Sequence, residues 1–527
     1  MTLEETGREH APTQPDVADV PARSNGARKL ADSIKTRAAA AWQALAARPA
    51  TTLAGIGALL IAATVVQGGM SERLRTTWHL ANVLDYAVSV TMPLGGIFEL
   101  AVARFPRTLP GFLPAAHTRE SAFLMAMWGY FFAVALLFAL YALALRWVSQ
   151  HAMEHHAALR VVVWVAVIVA TVAYFTPAVP SHDAFAYAMS GRLILTYHAN
   201  PFFAVPGSYP RDPILQTNEW PLSATAYGPL WSVISVLVSP LVGANPLSAN
   251  LVYRALAYAA HLANIALIVA IARQLAPQRP SWHALGLLLY AWNPLVIVEV
   301  AAGHNDVMML TGLLAGIYLL GREWRAWAMV AFAAAILLKI SALPLVALVL
   351  LGIWLREAAG GSLLPTGRAE WLRRLTPAAL VTGVVALGYL PFYIGHSLRE
   401  IAAVANLQPT SQALARALKG SFATLSGSIM GVGWLPRPLA TRLASGAMFF
   451  DLPLLWTLVL LAIMGATTVY VLPLLRRIER VPAALAWVYA SWMAFLSVFH
   501  LLRTWYLIPL LGLVCLAPVG RPIRRFT

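Results

Sequence analysis

Long apolar runs separated by short polar connectors fill most of the sequence. A helix needs roughly 20 apolar residues, at about 1.5 Å rise each, to cross a bilayer. Several of the runs are shorter than that, which implies tilt, kinks or shielding by neighbouring helices. The pattern predicts an all-α polytopic membrane protein with about 12 transmembrane helices, at residues 52–70, 122–147, 161–175, 251–271, 284–300, 308–320, 327–340, 343–355, 378–394, 454–474, 484–498 and 505–516.

Two further apolar stretches do not fit as spans. Residues 85–103 contain Asp85, Glu99 and two glycines, which predicts a re-entrant or surface segment. Residues 227–241 open with YGPLW and run for only about 15 residues, which is short for a span. We therefore expect a helix lying along the membrane surface there.

The composition agrees with this pattern. The chain of 527 residues is 59% hydrophobic and 11% charged, with a mean hydropathy of +0.68, whereas soluble domains carry about 25% charged residues. The formal net charge of +16 comes from arginines clustered at the ends of apolar runs. That distribution favours anionic lipid and membrane orientation over nucleic acid. The single cysteine, Cys515, excludes an intramolecular disulfide.

Arginine-rich connectors orient the predicted spans. The positive-inside rule assigns them to the cytoplasm, and twelve spans with both termini cytoplasmic satisfy all of them. Residues 1–50 are then a cytoplasmic tail, disordered at first and followed by a helix that is either bound to the inner leaflet or an ordinary lead-in helix. Residues 51–527 form the transmembrane domain, with large outer loops at 179–248 and 395–450.

One carboxylate marks the start of the first large outer loop. Asp183 in SHDAFAY follows an apolar run and precedes about 70 residues without a predicted span. Loops of that length are usually functional, and a carboxylate in a partly dry cleft is suited to act as a general base. A helix N-cap accounts for the residue equally well.

Other polar residues fall at the same predicted outer ends. His304, Asn305 and Asp306 suit hydrogen bonding to a hydroxylated substrate better than metal binding, because two ligand types side by side do not make a site. Lys339 is a lone cation that either snorkels to headgroups or binds a lipid phosphate. Glu299 within a span is expected to form a structural ion pair with Arg254.

Aromatic residues accompany these groups. Tyr187 and Tyr227 lie in the first large loop, and Tyr506 follows His500 and Arg503 near the last span. Aromatic rings suit either stacking on sugar faces or a position at the headgroup level. The headgroup interpretation is expected to explain most of the 18 tryptophans.

The order of these motifs is similar to that of a known family. SHDAFAY, GRLILTYHANPF, YGPLW, NPLVIVEVAAGHNDVMML, LLKISALPL and FHLLRTWYLIPL follow one another along the chain. Together they resemble the C-type integral-membrane glycosyltransferases, most closely the polyprenyl-phosphomannose-dependent alpha-1,6-mannosyltransferases. The similarity runs from about residue 122 to residue 516, and no single motif is specific alone.

The resemblance implies an inverting transfer from a polyprenyl-phosphate sugar donor to an envelope glycan or glycolipid acceptor. Asp183 would be the catalytic base. The donor phosphate would be bound by Lys339, Arg503 and Arg192, whose positive charge would stabilise the leaving group. The sugars would contact His182, Tyr187, Tyr227, His304, Asn305, Asp306, His500 and Tyr506.

His182 stands where some members of the superfamily have a second acid that binds metal. Its presence favours a monophosphate donor and predicts neither a metal nor another cofactor. The predicted partners are the lipid donor, the acceptor and membrane lipids, without nucleic acid. The predicted location is the cell membrane, with the active site on the extracytoplasmic face.

Two other function classes stay open on the sequence. A transporter or flippase of lipid-linked sugars would also have many spans and outer polar clusters, although no convincing hydropathy repeat is visible. A flippase moves the lipid without cleaving its phosphate–sugar bond, so donor consumption separates the two classes. A non-catalytic envelope scaffold would tolerate the loss of Asp183. The residues themselves do not decide which sugar is moved, which acceptor receives it or which linkage forms.

Overall fold

The computed structural model describes residues 32–33, 36–37, 39–40, 43–78, 119–151, 153–177, 183–218, 220–358, 364–397, 399–401, 453–499 and 504–517. Within these ranges the regular structure is helical and no β-strand occurs. The α-helices are α1 Pro49–Trp78, α2 Arg119–Gln150, α3 His155–Phe175, α4 Asp183–Leu195, α5 Pro229–Val242, α6 Pro246–Leu275, α7 Pro280–Ala291, α8 Pro294–Ala302, α9 Asp306–Gly321, α10 Arg325–Leu338, α11 Leu343–Glu357, α12 Arg368–Tyr393, α13 Pro453–Leu475, α14 Val481–Phe499 and α15 Leu507–Val514.

Each of the twelve predicted spans overlaps at least one of these helices. Within the described ranges, six helices are long and apolar enough to cross a membrane, and a seventh span arises if α7 and α8, bent by 48° at their junction, count as one. The prediction of a multi-pass all-α membrane protein is therefore confirmed. Its twelve crossings are not, because α9 and α10 are shorter than a bilayer is thick.

Proline and glycine explain how several helices begin and end. Asn245 and Asn293 each accept a hydrogen bond from the backbone N–H two residues on, and a proline follows each of them as the first helical residue. Gly303 ends α8 with a φ of 82°, in the left-handed region that glycine adopts without strain. The α8–α9 connection is therefore a tight turn.

The core forms where the helices pack in the middle of the bundle. Helix α1 packs against α2 and α3, and α9 packs between α6 and α10. Fully buried aromatic side chains fill the space between them, including Trp147, Trp292 and Tyr253. Many large apolar side chains on α2 and α3, such as Phe132 and Trp164, are instead exposed, which suits contact with lipid.

The long segment between α3 and α6 is compact and partly helical. It contains α4, two 3₁₀ turns at Pro206–Ser208 and Leu215–Thr217, and α5. The helix expected at 227–241 is present as α5 at Pro229–Val242, where it packs on α4, α6 and α10. This segment brings α4 and the YGPLW stretch against the ends of the long helices.

Several predictions lie outside the described residues. They are the re-entrant or surface segment at 85–103, the tail at 1–50 apart from 32–33, 36–37, 39–40 and 43–50, and the second large loop at 395–450 apart from 395–397 and 399–401.

Candidate active site

Four chain segments bring charged side chains together at one end of the bundle. Asp183 is the first residue of α4, Asp306 is the first residue of α9, His304 lies in the turn between α8 and α9, and Lys339 follows α10. All four are buried, with at most 8% of each residue exposed. We call these residues and their contacting side chains the polar cluster: Asp183, Tyr187, Tyr227, Glu299, His304, Asn305, Asp306, Lys339 and Tyr506.

His304 lies between two carboxylates. Its Nδ1 is 3.5 Å from Asp183 Oδ2, and its Nε2 is 3.1 Å from Glu299 Oε2. The imidazole also stacks on the ring of Trp505, with centroids 4.1 Å apart. The left-handed Gly303 turns the chain back so that His304 returns over Glu299, five residues earlier.

Asp183 has a second side-chain contact. The Tyr227 hydroxyl donates to Asp183 Oδ2 at 3.1 Å. The carboxylate therefore joins two other segments of the chain, which a simple helix cap would not do. This geometry favours the functional interpretation of Asp183 over the cap interpretation.

The stretch that carries Tyr227 is fixed to the end of α10. The backbone N–H of Gly228 donates to the Leu338 carbonyl at 3.1 Å. A Cβ at position 228 would clash with the Leu337 carbonyl oxygen, so only glycine fits this approach. The Tyr227 hydroxyl and the Lys339 amine are consequently held on one rigid connection.

Lys339 makes a buried ion pair. Its Nζ donates to Asp306 Oδ2 at 2.7 Å and lies 4.7 Å from the centroid of the Tyr506 ring. The expected alternative, a lysine snorkelling to headgroups, does not match this inward position. An ammonium group has three donors, and the contact with Asp306 uses one of them.

The charges of the cluster act on one another. Burial acts to raise the pKa of the Asp183 carboxyl, but the hydrogen bond and charge of His304, the charge of Lys339 and the hydrogen bond from Tyr227 hold that pKa below its ordinary value. Burial acts to lower the pKa of His304, and the surrounding carboxylates, Asp183 first, hold it above the ordinary value. The geometry thus favours a carboxylate at Asp183 and an imidazolium at His304.

Five buried polar atoms of the cluster have no hydrogen-bond partner among the described residues, and three of them, both ring nitrogens of His304 and Glu299 Oε2, belong to the ion-pair contacts described above. The other two have no charged partner in the described part of the chain either. They are Asn305 Nδ2, a donor, and Asp306 Oδ1, an acceptor. Tyr187 holds Asn305 from the other side, since its hydroxyl lies 3.3 Å from the Asn305 backbone N and 3.5 Å from Oδ1. A donor and an acceptor left over in one place match the hydroxyl groups of a sugar.

Arg192 lies away from the cluster. Its Nε donates to Asp212 Oδ2 at 2.7 Å, and its guanidinium also donates to the Gly243 carbonyl at 2.7 Å. It follows Asp183 by nine residues, about 13 Å along the helix axis and on the opposite face. Arg192 therefore connects α4 to the loop at Asp212 and to the end of α5 at Gly243. It does not lie beside Lys339, where the sequence analysis expected it. The predicted contacts of His182, His500 and Arg503 lie outside the described residues.

The expected pairing of Glu299 with Arg254 is wrong. Glu299 contacts His304, while Arg254 donates to the carbonyls of Ala173 and Thr176 at the end of α3. Sequence reasoning also missed Asp212, which accepts from Arg192, from the Tyr197 hydroxyl and from the Ile214 backbone N–H. Its position in an irregular loop gives no periodic signal.

Among the described residues no group of three or more histidine, cysteine, aspartate or glutamate side chains is placed to hold an ion. The expectation that no metal is required stays a prediction.

Comparison with known proteins defines the class. Residues 86–356, slightly more than half of the chain, match the family model described as alpha-(1->6)-mannopyranosyltransferase, N-terminal domain. The protein is therefore a membrane glycosyltransferase. It belongs to the alpha-(1->6)-mannopyranosyltransferase family, and the resemblance found in the motifs is confirmed.

A curated relative agrees with the family match. The chain is 25% identical over 386 residues to alpha-(1->6)-mannopyranosyltransferase A of Mycobacterium tuberculosis. The aligned region covers 68% of this chain and 67% of that protein. The family match and this relative together identify the protein as a mannosyltransferase.

Solved structures of the Archaeoglobus fulgidus oligosaccharyltransferase are also similar. The apo form gives a TM-score of 0.37 at 13% identity and covers 69% of this chain. A complex with an inhibitory peptide and a dolichol-phosphate gives 0.34 at 14% identity over 67% of this chain. The match spans about half the length of those chains. TM-scores this low do not establish a shared fold.

Proposed function

We propose that this protein transfers mannose from a polyprenyl phosphate to a hydroxyl group of an envelope glycan or glycolipid, with Asp183 as the base. The observation that carries this proposal is the burial of Asp183 between the Tyr227 hydroxyl and His304, in a cluster that also contains Lys339. Such a transfer needs a base for the acceptor proton and positive charge for the departing phosphate. The cluster supplies both, with an ionised carboxylate, an imidazolium and an ammonium group that are all buried.

The transfer forms one bond and breaks another at the anomeric carbon. The acceptor oxygen attacks that carbon while the bond to the polyprenyl-phosphate oxygen breaks, and the electron pair leaves with the phosphate. The hydroxyl proton passes to Asp183. A carboxylate with a lowered pKa suffices as a base, because the acceptor hydroxyl becomes strongly acidic once its oxygen has begun to bond.

Lys339 is the described cation best placed for the departing phosphate. Asp306 holds its ammonium group within the site through one hydrogen bond and leaves two donors for phosphate oxygens. Because the group is already fixed, little reorganisation is needed as negative charge develops on the leaving oxygen. Arg503 remains a further proposed phosphate ligand.

The sugar is proposed to bind at the side chains that retain unused polar atoms. Asn305 Nδ2 and Asp306 Oδ1 would exchange hydrogen bonds with sugar hydroxyls, and the Tyr187 and Tyr227 rings, 4.7 Å apart, border the same place. His182, His304, His500 and Tyr506 complete the proposed contact set. Mannose follows from the family, while the acceptor and the linkage that it receives are part of the proposal.

The proposed location is the outer face of the cell membrane, with both termini cytoplasmic. Helix α10 begins at Arg325 and ends beside Lys339, about 20 Å further along its axis. The positive-inside rule assigns the Arg322 and Arg325 connector to the cytoplasm. The polar cluster then faces the opposite side, where the proposed outer loop at 179–248 contributes Asp183, Tyr187 and Tyr227 to it.

The test uses the full chain in proteoliposomes with a polyprenyl-phosphate donor that carries labelled mannose. We expect transfer of label to glycan acceptors with release of polyprenyl phosphate, and at least about a 10³-fold slower transfer by Asp183→Asn. Glu357→Gln, which alters a carboxylate at the other end of the bundle, serves as the control. Near-wild-type turnover by Asp183→Asn would remove the base assignment, and donor moved across the bilayer without release of phosphate would identify a flippase.

A further inference from the structure

Glu299 takes no part in the transfer proposed above, yet it contacts the same imidazole as the base does. Its Oε2 lies 3.1 Å from His304 Nε2, and Asp183 Oδ2 lies 3.5 Å from His304 Nδ1. Glu299 is 1% exposed and His304 is fully buried. Both distances are those of ion pairs, and only the imidazolium carries the positive charge that attracts a carboxylate to each side of the ring. A ring with a buried carboxylate at each nitrogen therefore suits the imidazolium form.

The ring of His304 has little freedom to leave this position. Trp505 stacks on one of its faces with an interplanar angle of 19°, and the Gly303 turn fixes its backbone. The other titratable and charged groups around the ring come from α4, α9, the YGPLW stretch, the end of α10 and the Thr504–Tyr506 turn. Among the described residues, Asp183 and Asp306 act on the ring itself. Tyr227 and Lys339 act on Asp183, Tyr506 lies beside Lys339, and Tyr187 contacts Asn305.

We infer that Glu299 is a positioning residue that keeps His304 doubly protonated and oriented, so that His304 in turn keeps Asp183 ionised and in place. The inference rests on the proposed role of Asp183. It adds a carboxylate that does not touch the substrate and acts on the reaction only through the imidazole.

The reason is electrostatic. His304 lies out of water, and burial alone favours its neutral form. The negative charge of Glu299 opposes that effect from the Nε2 side, where it is the nearest described carboxylate. Without Glu299 the ring loses one proton at a lower pH, and Asp183 then faces a neutral partner.

The experiment is the pH profile of kcat and of the donor KM for Glu299→Gln in the full chain. We expect the alkaline limb of kcat to move to lower pH by about one unit or more, because a charge within about 4–6 Å shifts a pKa by about 1–3 units. At lower pH, kcat is expected to stay within about threefold of wild type, and the donor KM within about twofold at every pH.

Two results would overturn the inference. A loss of kcat that is equal at every pH would mean a purely structural role, and an unshifted alkaline limb with normal kcat would mean no role. Glu299→Asp keeps the charge, and it is the variant to measure if Glu299→Gln does not fold. Its loss is expected to be small and confined to alkaline pH, and an equal loss at every pH would again contradict the inference.

Two controls separate this inference from the proposed base. In a His304→Gln background, Glu299→Gln is expected to change kcat by less than twofold, since its effect runs through the missing ring. If Glu299→Gln lowered kcat by the same factor in the His304→Gln background as in wild type, Glu299 would not act through His304. An active Asp183→Asn variant would remove the base itself, whereas an inactive Asp183→Asn with an unshifted Glu299→Gln limb would remove only the positioning role.

Discussion

The two ends of helices α10 and α11 carry ion pairs of opposite character. At the Lys339 end, the ammonium and the Asp306 carboxylate are 2.7 Å apart, and their side chains are 10% and 0% exposed. At the other end, which we call the arginine end, Arg325 pairs with Glu357 at 2.8 Å and Arg373 lies 4.0 Å from the same carboxylate. There the guanidinium side chains are 63% and 60% exposed.

The contrast distinguishes charges that orient the protein in the membrane from charges that belong to the candidate active site. Water screens the two guanidinium groups at the arginine end, although the Glu357 side chain is itself only 8% exposed, so these pairs are worth less than a fully buried pair. The polar cluster has no such screening, so each charge depends on its neighbours and removal of one leaves another unpaired. A protein keeps charges of that kind at a cost in stability, which is expected at a site of chemistry.

Among changes to the ion pairs at the two ends, the largest effect should come from Lys339→Met, which removes the ammonium and keeps a similar length. We expect transfer to slow by about 10²–10³-fold, the usual cost of losing one preorganised group that stabilises developing charge. The measurement is kcat and the donor KM in proteoliposomes. Arg325→Met, the matched loss of a cation at the arginine end, is the control. Equal rates for Lys339→Met and wild type would return Lys339 to a structural role.

Asp212→Asn should be the next largest, and it should act on stability. Asp212 is buried and pairs with Arg192, so the change leaves a buried guanidinium without its carboxylate. We expect a loss of about 3 kcal/mol in the free energy of unfolding. Thermal unfolding in detergent measures it, with Arg211→Gln on the exposed neighbour as the control. A normal melting temperature would show that the loop does not depend on this pair.

The transfer rate should have a plateau in its pH profile and should fall by at most about tenfold per pH unit on either side of it. Because the pKa of Asp183 is lowered, the base stays ionised until the pH falls through that lowered value. Because the pKa of His304 is raised, the imidazolium persists above the ordinary value of 6.5 and is lost as the pH rises through the raised value. The alkaline limb should disappear in His304→Gln, and a limb unchanged in that variant would assign it to another group.

The smallest effect should come from Arg325→Gln at the arginine end. An exposed ion pair contributes about 0–1 kcal/mol, so the melting temperature should hardly change, and transfer should stay within about twofold. The test is the same pair of measurements at low and high salt. A loss comparable to that of Lys339→Met would mean that the two ends are not as different as their exposure indicates.

The sequence predicted the parts of the site that hydropathy can locate. Asp183, His304, Asp306 and Lys339 each interrupt or border an apolar run, and the positive-inside rule assigned all of them to one side. The structure brings these four together. Each predicted span coincides with helical residues, because a helix core is set by apolar length, but helix ends differ by up to about ten residues and the span at 284–300 is the two helices α7 and α8.

The partners of those charges were harder to predict. Glu299 was paired with Arg254 in the sequence analysis, because both lie within spans, and only the left-handed turn at Gly303 reveals His304 as its neighbour. Arg192 was expected near the phosphate, yet Asp212 lies 20 residues further on in an irregular loop and pairs with it. Contacts of this kind depend on turns and crossing helices, which leave no periodic pattern.

The close approach at Gly228 limits how this family member can be redesigned. Any side chain there meets the Leu337 carbonyl, and the displacement would reach Tyr227 on one side and Lys339 on the other. A saturation library at position 228 should therefore return glycine alone, even under selection for a new donor or acceptor. Changes in substrate preference have to come from the side chains around this connection, because the connection itself has no room to vary.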